Sequence, residues 1–284
     1  MIKRILVVLD PDDDTPIATN TAITIAQRYD AEVTCLALVD KEAIAADTAG
    51  SGIGGYAYAE RLRTRLTDEV RAKAQDLLRT FVSRVEAAGV RQSGSHISDE
   101  GILASLVGAM RTHDLLVAGR ESHFYYHDPE QRTHTMAKVI EEGAAATLLV
   151  GHEVPDVKRV VVAYDGSTAA ARALQKFANL APFGTGIEVE LLHVRGHSDE
   201  ERLESETLLD GAQRYLQAHG YAPVRATSVE GAKPADRIAE YANADTTDLL
   251  VAGAYAKTGI KRLMFGSAAT RLLESATVPL FLYR

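Results

Sequence analysis

The chain has 284 residues, 46% of them hydrophobic and 25% charged, enough for two ordinary domains whose cores need no covalent staples. Its formal net charge of −8 argues against a general nucleic-acid or anionic-membrane surface, but not against one anionic ligand at a local site. A single cysteine, Cys35, excludes an internal disulfide and suits a reducing compartment.

In chain order, the first element is a short apolar run, ILVVLD at residues 5–10. It is too brief for the core of a signal peptide, and no later run approaches a membrane span, so the expected location is cytoplasmic. An alanine-rich helical stretch follows at 17–29, then a second apolar run at 32–39, in which Cys35 reads as a buried, inert thiol. A longer excursion runs from 40 to about 95. It opens at 45–58, a segment with four glycines that reads as a mobile loop. It continues at 60–88 as a long amphipathic helix, with Leu62, Leu66, Val70, Ala74, Leu77, Phe81 and Val85 at helical spacing. HDLLVAG at 113–119 and an apolar run at 147–150 complete the first half.

The pattern then starts again. VVVAYD at 160–165 repeats the first run, 168–180 the helical stretch, and 188–194 the second run; TDLLVAG at 247–253 repeats HDLLVAG, and 279–283 closes the half. Apolar runs without alternation are strands buried on both faces, and helices between them imply parallel crossovers. The repeat therefore predicts two similar doubly wound α/β domains, 1–152 and 153–284. Their boundary is expected within 151–158, where glycine, proline and charged residues interrupt the pattern.

In an open parallel sheet, ligands bind beyond the carboxyl ends of the strands. In the second half those positions hold Asp165, Gly166, Ser167 and Val194, and the stretch GAYAKTGIKRLMFGS at 253–267. Gly266 and Ser267 precede a helical run, and a helix start offers phosphate its unpaired N–H groups and a favourable dipole. Gly253-x-x-Ala256, nine residues, then Gly266-Ser267 resembles the ATP-binding signature of the universal stress protein family, Gly-x-x-Gly, nine residues, then Gly-Ser or Gly-Thr. The surrounding order agrees: Asp-Gly-Ser after the first strand, Leu-His-Val ending the second, and a final Val-Pro-Leu strand.

The resemblance implies two tandem open five-stranded parallel-sheet domains, Rossmann-like and similar to the adenine nucleotide alpha hydrolases. It places Asp165, with Gly166 and Ser167 beside it, on the adenosine side, and the backbone of Val194 at the adenine edge. It assigns Gly253, Gly266 and Ser267 to ribose and phosphate, and gives Ala268 a further backbone N–H. Lys261 and Arg262 either screen phosphate charge or are solvated loop charges. Ala256 departs from the signature. A positive φ there would cost alanine roughly 1–2 kcal/mol, whereas a need only for a small side chain would cost almost nothing.

The first half lacks the motif. Beside Asp10, Pro11 and the acidic Asp12, Asp13 and Asp14 replace Gly-Ser, and three carboxylates repel phosphate. No Gly-Ser opens its last helix. His113, His123, His127 and His134 crowd the degenerate loop with Asp128, and they read as surface histidines that close a vacated cleft rather than as metal ligands. This half is expected to bind no ATP. The family likeness implies a stress-response regulator that holds ATP, with or without Mg, or another adenine nucleotide, at one site per chain. Fast catalysis is not expected: no nucleophile elbow, Walker loop or zinc-protease helix is present, and hydrolysis through a metal near Asp165 lacks an evident base. The alternative is a ligand-free interaction scaffold. Family members pair through their last strands, so 147–150 and 279–283 are expected to meet within one chain; a homodimer and an unknown protein partner remain open.

Overall fold

A computed structural model describes residues 1–11, 15–48, 55–99, 101–120, 129–151, 153–244, 246–254 and 267–284. Each apolar run forms a strand. The first half consists of β1 (Arg4–Leu9), α1 (Thr15–Tyr29), β2 (Glu32–Leu38), α2 (Lys41–Asp47), α3 (Gly55–Ala87), β3 (Arg91–Ser98), α4 (Ile102–Met110), β4 (Leu115–Gly119), α5 (Pro129–Glu142) and β5 (Ala146–Val150). The second half repeats that order without a counterpart of α2 among the described residues. It comprises β6 (Arg159–Ala163), α6 (Thr168–Leu180), β7 (Glu188–Arg195), α7 (Asp199–Ala218), β8 (Val224–Glu230), α8 (Pro234–Ala242), β9 (Leu249–Gly253), α9 (Ser267–Ser275) and β10 (Leu280–Tyr283).

Within each half all strand pairs are parallel, as continuous apolar runs require. The two halves join where β5 and β10 pair antiparallel, with Leu149 opposite Leu280, Leu148 opposite Phe281 and Thr147 opposite Leu282. The result is one ten-stranded sheet of order β3-β2-β1-β4-β5-β10-β9-β6-β7-β8. The last runs of the two halves thus meet inside the chain, as expected.

Side chains alternate across a strand, and both cores follow that period. Ile5, Val7, Val160, Val162 and Phe281 point to a layer covered by α1, α3, α6 and α7; Leu6, Val8, Val161, Leu280 and Leu282 point to the layer of α4, α5, α8 and α9. Each core therefore runs through both halves. Phe281 is fully buried, with its ring edge-on to Phe177 of α6 at 5.4 Å. Burying such a side chain stabilises by about 1.5–3 kcal/mol. The polar strands β3 (RQSGSHIS) and β8 (VRATSVE) lie at the two outer edges, where one side of the ladder is free.

Three expectations need correction. Segment 45–58 is not a single loop: α2 extends to Asp47 and α3 begins at Gly55, because Ala59 continues the buried stripe of the long helix and packs at 7% exposure. The part at 49–54 lies outside the described residues. The long helix itself spans Gly55–Ala87 rather than 60–88. His113 precedes β4, whereas His123 and His127 follow it in the chain and lie outside the described residues. His113 stands at the amino end of β4, where Nδ1 meets the Ala109 carbonyl at 2.7 Å and Nε2 meets Thr34 Oγ1 at 3.0 Å. Cys35 is fully buried, and burial pushes its thiol up to about 12, so it is chemically inert at neutral pH. Among the described residues no helix is long and apolar enough to cross a membrane.

Candidate functional site

Parallel strands place all their carboxyl ends on one side, and there the second half opens a cleft of about 140 Å³. That volume has room for on the order of ten waters, the scale of a substituted ring system rather than of a lone ion. Asp165, Ser167, Val194 and Gly253, from the ends of β6, β7 and β9, line it together. Ala170 of α6, Pro234 and Ile238 of α8, and Ala269 and Leu272 of α9 complete mostly apolar walls.

Local chemistry shapes the turn after β6. Gly166 adopts φ +73, the left-handed conformation that glycine reaches without strain, and a Cβ there would come within 2.6 Å of Leu208. This sharp turn lets the Asp165 carboxylate accept the Ser167 N–H at 2.9 Å. Ser167 in turn N-caps α6, its Oγ accepting the Ala170 N–H at 3.2 Å. Gly166 does not itself line the cleft; it sets the chain direction for its two neighbours.

Gly253 has a packing cause of its own. A Cβ on it would lie 2.5 Å from the Ala169 carbonyl carbon and 2.7 Å from the Ala170 nitrogen, so β9 ends against the first turn of α6 only because the side chain is missing. Ala256 and Gly266 lie outside the described residues. Ser267 and Ala268 open α9, whose described wall residues Ala269 and Leu272 face the cleft.

His193, which the motif comparison leaves without a role, also lines the cleft. Its Nδ1 meets the Oγ of Ser205, fully buried on α7, at 2.7 Å. Burial pushes the His193 imidazole below the usual histidine range, against the upward pull of Asp165 and with a further push from Arg195. Pro234 and Ile238 have a sequence signal that the motif does not contain: a proline in the first turn of a helix following a strand. The buried Glu190 belongs elsewhere, near the amino ends of the strands. Burial pushes its carboxyl up, but hydrogen bonds from Thr227 and Tyr241, each at 2.6 Å, and from Arg159 outweigh burial and hold it below the usual range.

The first half differs at the same place. Asp10 is 2% exposed, and its N–H donates to Thr15 Oγ1 at 2.9 Å. α2 stands beyond the end of β2, with Ile44 and Thr48 buried. Residues 12–14 and 121–128, with His123, His127 and Asp128, lie outside the described residues. Among the described residues no group of three or more potential metal ligands occurs.

The sequence pattern of the Universal stress protein family matches residues 1–96 and 156–284, most of both halves. The chain belongs to the universal stress protein family. A universal stress protein of Synechocystis sp. is 22% identical over 298 residues, and both chains are covered completely. One of Methanocaldococcus jannaschii is 26% identical over 141 residues, which cover 45% of this chain and 82% of that one. The crystal structure of a universal stress protein from Archaeoglobus fulgidus shares the fold at a TM-score of 0.67 and 17% identity, covering 99% of this chain and 96% of its own. The tandem arrangement of two universal stress protein regions is thus seen in sequence and in fold.

Proposed function

We propose that this universal stress protein binds one adenine nucleotide, ATP, in the cleft of its second half, and acts as a stress-response regulator with little or no turnover. The observation that carries the reading is the convergence of Asp165, Ser167, Val194 and Gly253 on one mostly apolar cleft at the carboxyl ends of β6, β7 and β9. Apolar walls suit a heteroaromatic base, while Asp165 and the backbone of Val194 supply polar partners on the nucleoside side. Gly266, Ser267 and Ala268 are assigned to phosphate through the helix start at Ser267. ATP would bring its own Mg where one is used, and Asp165, the acidic residue among the described lining of the cleft, would help hold it. Ala256 in place of the motif's second glycine favours a second reading, a scaffold that keeps the fold and binds no nucleotide.

Titration calorimetry decides between them. The parent is expected to take up at most one ATP per chain, and Gly266→Asp to weaken it tenfold or more, about 1.4 kcal/mol, with circular dichroism unchanged. Ala256→Gly is expected to leave affinity equal or improved. Two equivalent sites would overturn the assignment of the first half, and a parent and an Ala256→Gly variant that both bind nothing would leave the scaffold.

A further inference from the structure

After β4 and after β9 the chain makes the same backbone contact with the neighbouring final strand. The Arg120 N–H donates to the Val150 carbonyl at 2.7 Å, and the Ala254 N–H donates to the Tyr283 carbonyl at 2.8 Å. Arg120 and Ala254 are therefore equivalent positions of the repeat. In the second half the small Ala254 lines the cleft. In the first half the long side chain of Arg120 crosses into the other half: Nη1 donates to the Val278 carbonyl at 2.9 Å and Nη2 to the Leu273 carbonyl at 3.3 Å.

Leu273 lies in the last turn of α9, where carbonyls have no partner within the helix. A cation there also suits the negative end of the helix dipole. The rest of that end is held from its own half. The Asn243 amide donates to the Ser275 carbonyl at 2.9 Å, its oxygen accepts the Thr277 N–H at 2.7 Å, and Asp236 of α8 pairs with Arg271 at 2.6 Å. One turn and one residue before Leu273, respectively, Ala269 and Leu272 of the same helix form a wall of the cleft. α5 of the first half also packs against α9, and to that packing Arg120 adds side-chain hydrogen bonds to the end of the helix that the ligand is assigned to meet.

We propose that Arg120 is a positioning residue for the nucleotide site, so that the half without the motif sets the pose of α9 in the half that has it. The proposal rests on the reading of the cleft as the ligand site. It explains why a degenerate repeat is useful: its own cleft position carries the brace for the other one.

The test uses the full chain with Arg120→Met, which keeps the aliphatic stem and removes the donors, and Arg120→Lys, which restores one donor and the charge. In the ligand-free Met variant, amide exchange over 267–275 should quicken roughly fivefold or more while β6 and β7 keep their rates. Its ATP affinity should fall about three- to tenfold, and the Lys variant should recover part of both effects. Unchanged exchange in α9, unchanged ATP affinity, or global unfolding of the Met variant would each overturn the proposal, because a merely structural strut would destabilise the fold without moving the cleft wall. If the parent takes up no ATP, the nucleotide reading falls by itself, and the ligand-free exchange of α9 still decides whether Arg120 positions that helix.

Discussion

Burial pushes the imidazoles of both His113 and His193 below the ordinary histidine range. Unfolded, these groups titrate near pH 6.5. Between that value and the lower folded one the unfolded chain binds more protons, so stability is complete above about pH 6.5 and declines as the pH falls below it. The carboxyl of Glu190, held low in the folded state, acts in the same direction but at more acid pH, and its contribution is lost as the pH falls through its folded value. The melting temperature is thus expected to be flat above about pH 7 and to drop as the pH falls below about 6.5. In the double variant His113→Gln and His193→Gln the slope in that window should shrink. An unchanged slope, read from thermal melts in matched buffers, would show that other groups control it. At this scale the sequence is informative about residue identity and poor about cause. Gly253 is legible as a motif glycine, yet the clash its Cβ would make with Ala169 depends on where α6 crosses the sheet.

The elements show which part of the repeated Asp-Leu-Leu-Val-Ala-Gly string serves structure. Asp114 accepts the N–H groups of Lys3 and Arg4 at 2.7 and 3.0 Å, and Asp248 accepts those of Lys158 and Arg159 at 2.9 and 2.7 Å. Each aspartate thus pins the first residue of the neighbouring central strand, at the end of the sheet away from the cleft. Replacing it strands two donors at a strand start. Asp114→Ala and Asp248→Ala are each expected to cost about 2–3 kcal/mol in urea unfolding while leaving ATP affinity within twofold. A loss of affinity without a loss of stability would place the aspartate in the site instead. The central strands were legible because burial on both faces demands unbroken apolar runs. The edge strands β3 and β8 were not, since their outer flanks are free and their residues are mostly polar. The early start of α3 was hidden by the glycines before it, which mark a turn and say nothing about where the next helix begins.

On the scale of the whole molecule, the antiparallel β5–β10 pair makes two parallel sheets into one and carries both cores across the junction. Cross-contacts reinforce it: Tyr29 of α1 donates to the Ala181 carbonyl, and Arg284 donates to the Glu141 carbonyl at 2.9 Å. Two repeats that share cores this way should melt together. A single calorimetric transition is expected, with calorimetric and van't Hoff enthalpies in agreement. Two resolved transitions would mean that the junction contributes little to stability. The same pairing explains why a half without the motif need not be discarded: it covers the edge that β10 would otherwise expose.

The sequence by itself determined the tandem α/β plan, the parallel strands and the family, because hydrophobic periodicity and the spacing of small residues are local properties that survive in the order of the chain. It also named Asp165, Ser167, Val194 and Gly253 as strand-end residues, and the fold brings these four to one cleft. Tertiary structure alone decided that His193 joins those residues at the cleft, that His113 contacts Ala109 and Thr34 at the amino end of β4, and that Arg120 reaches α9 153 residues later. The first two depend on which elements pack together within one half, and the third on which become neighbours when two repeats share one sheet. No pattern of nearby residues encodes a contact made across that junction.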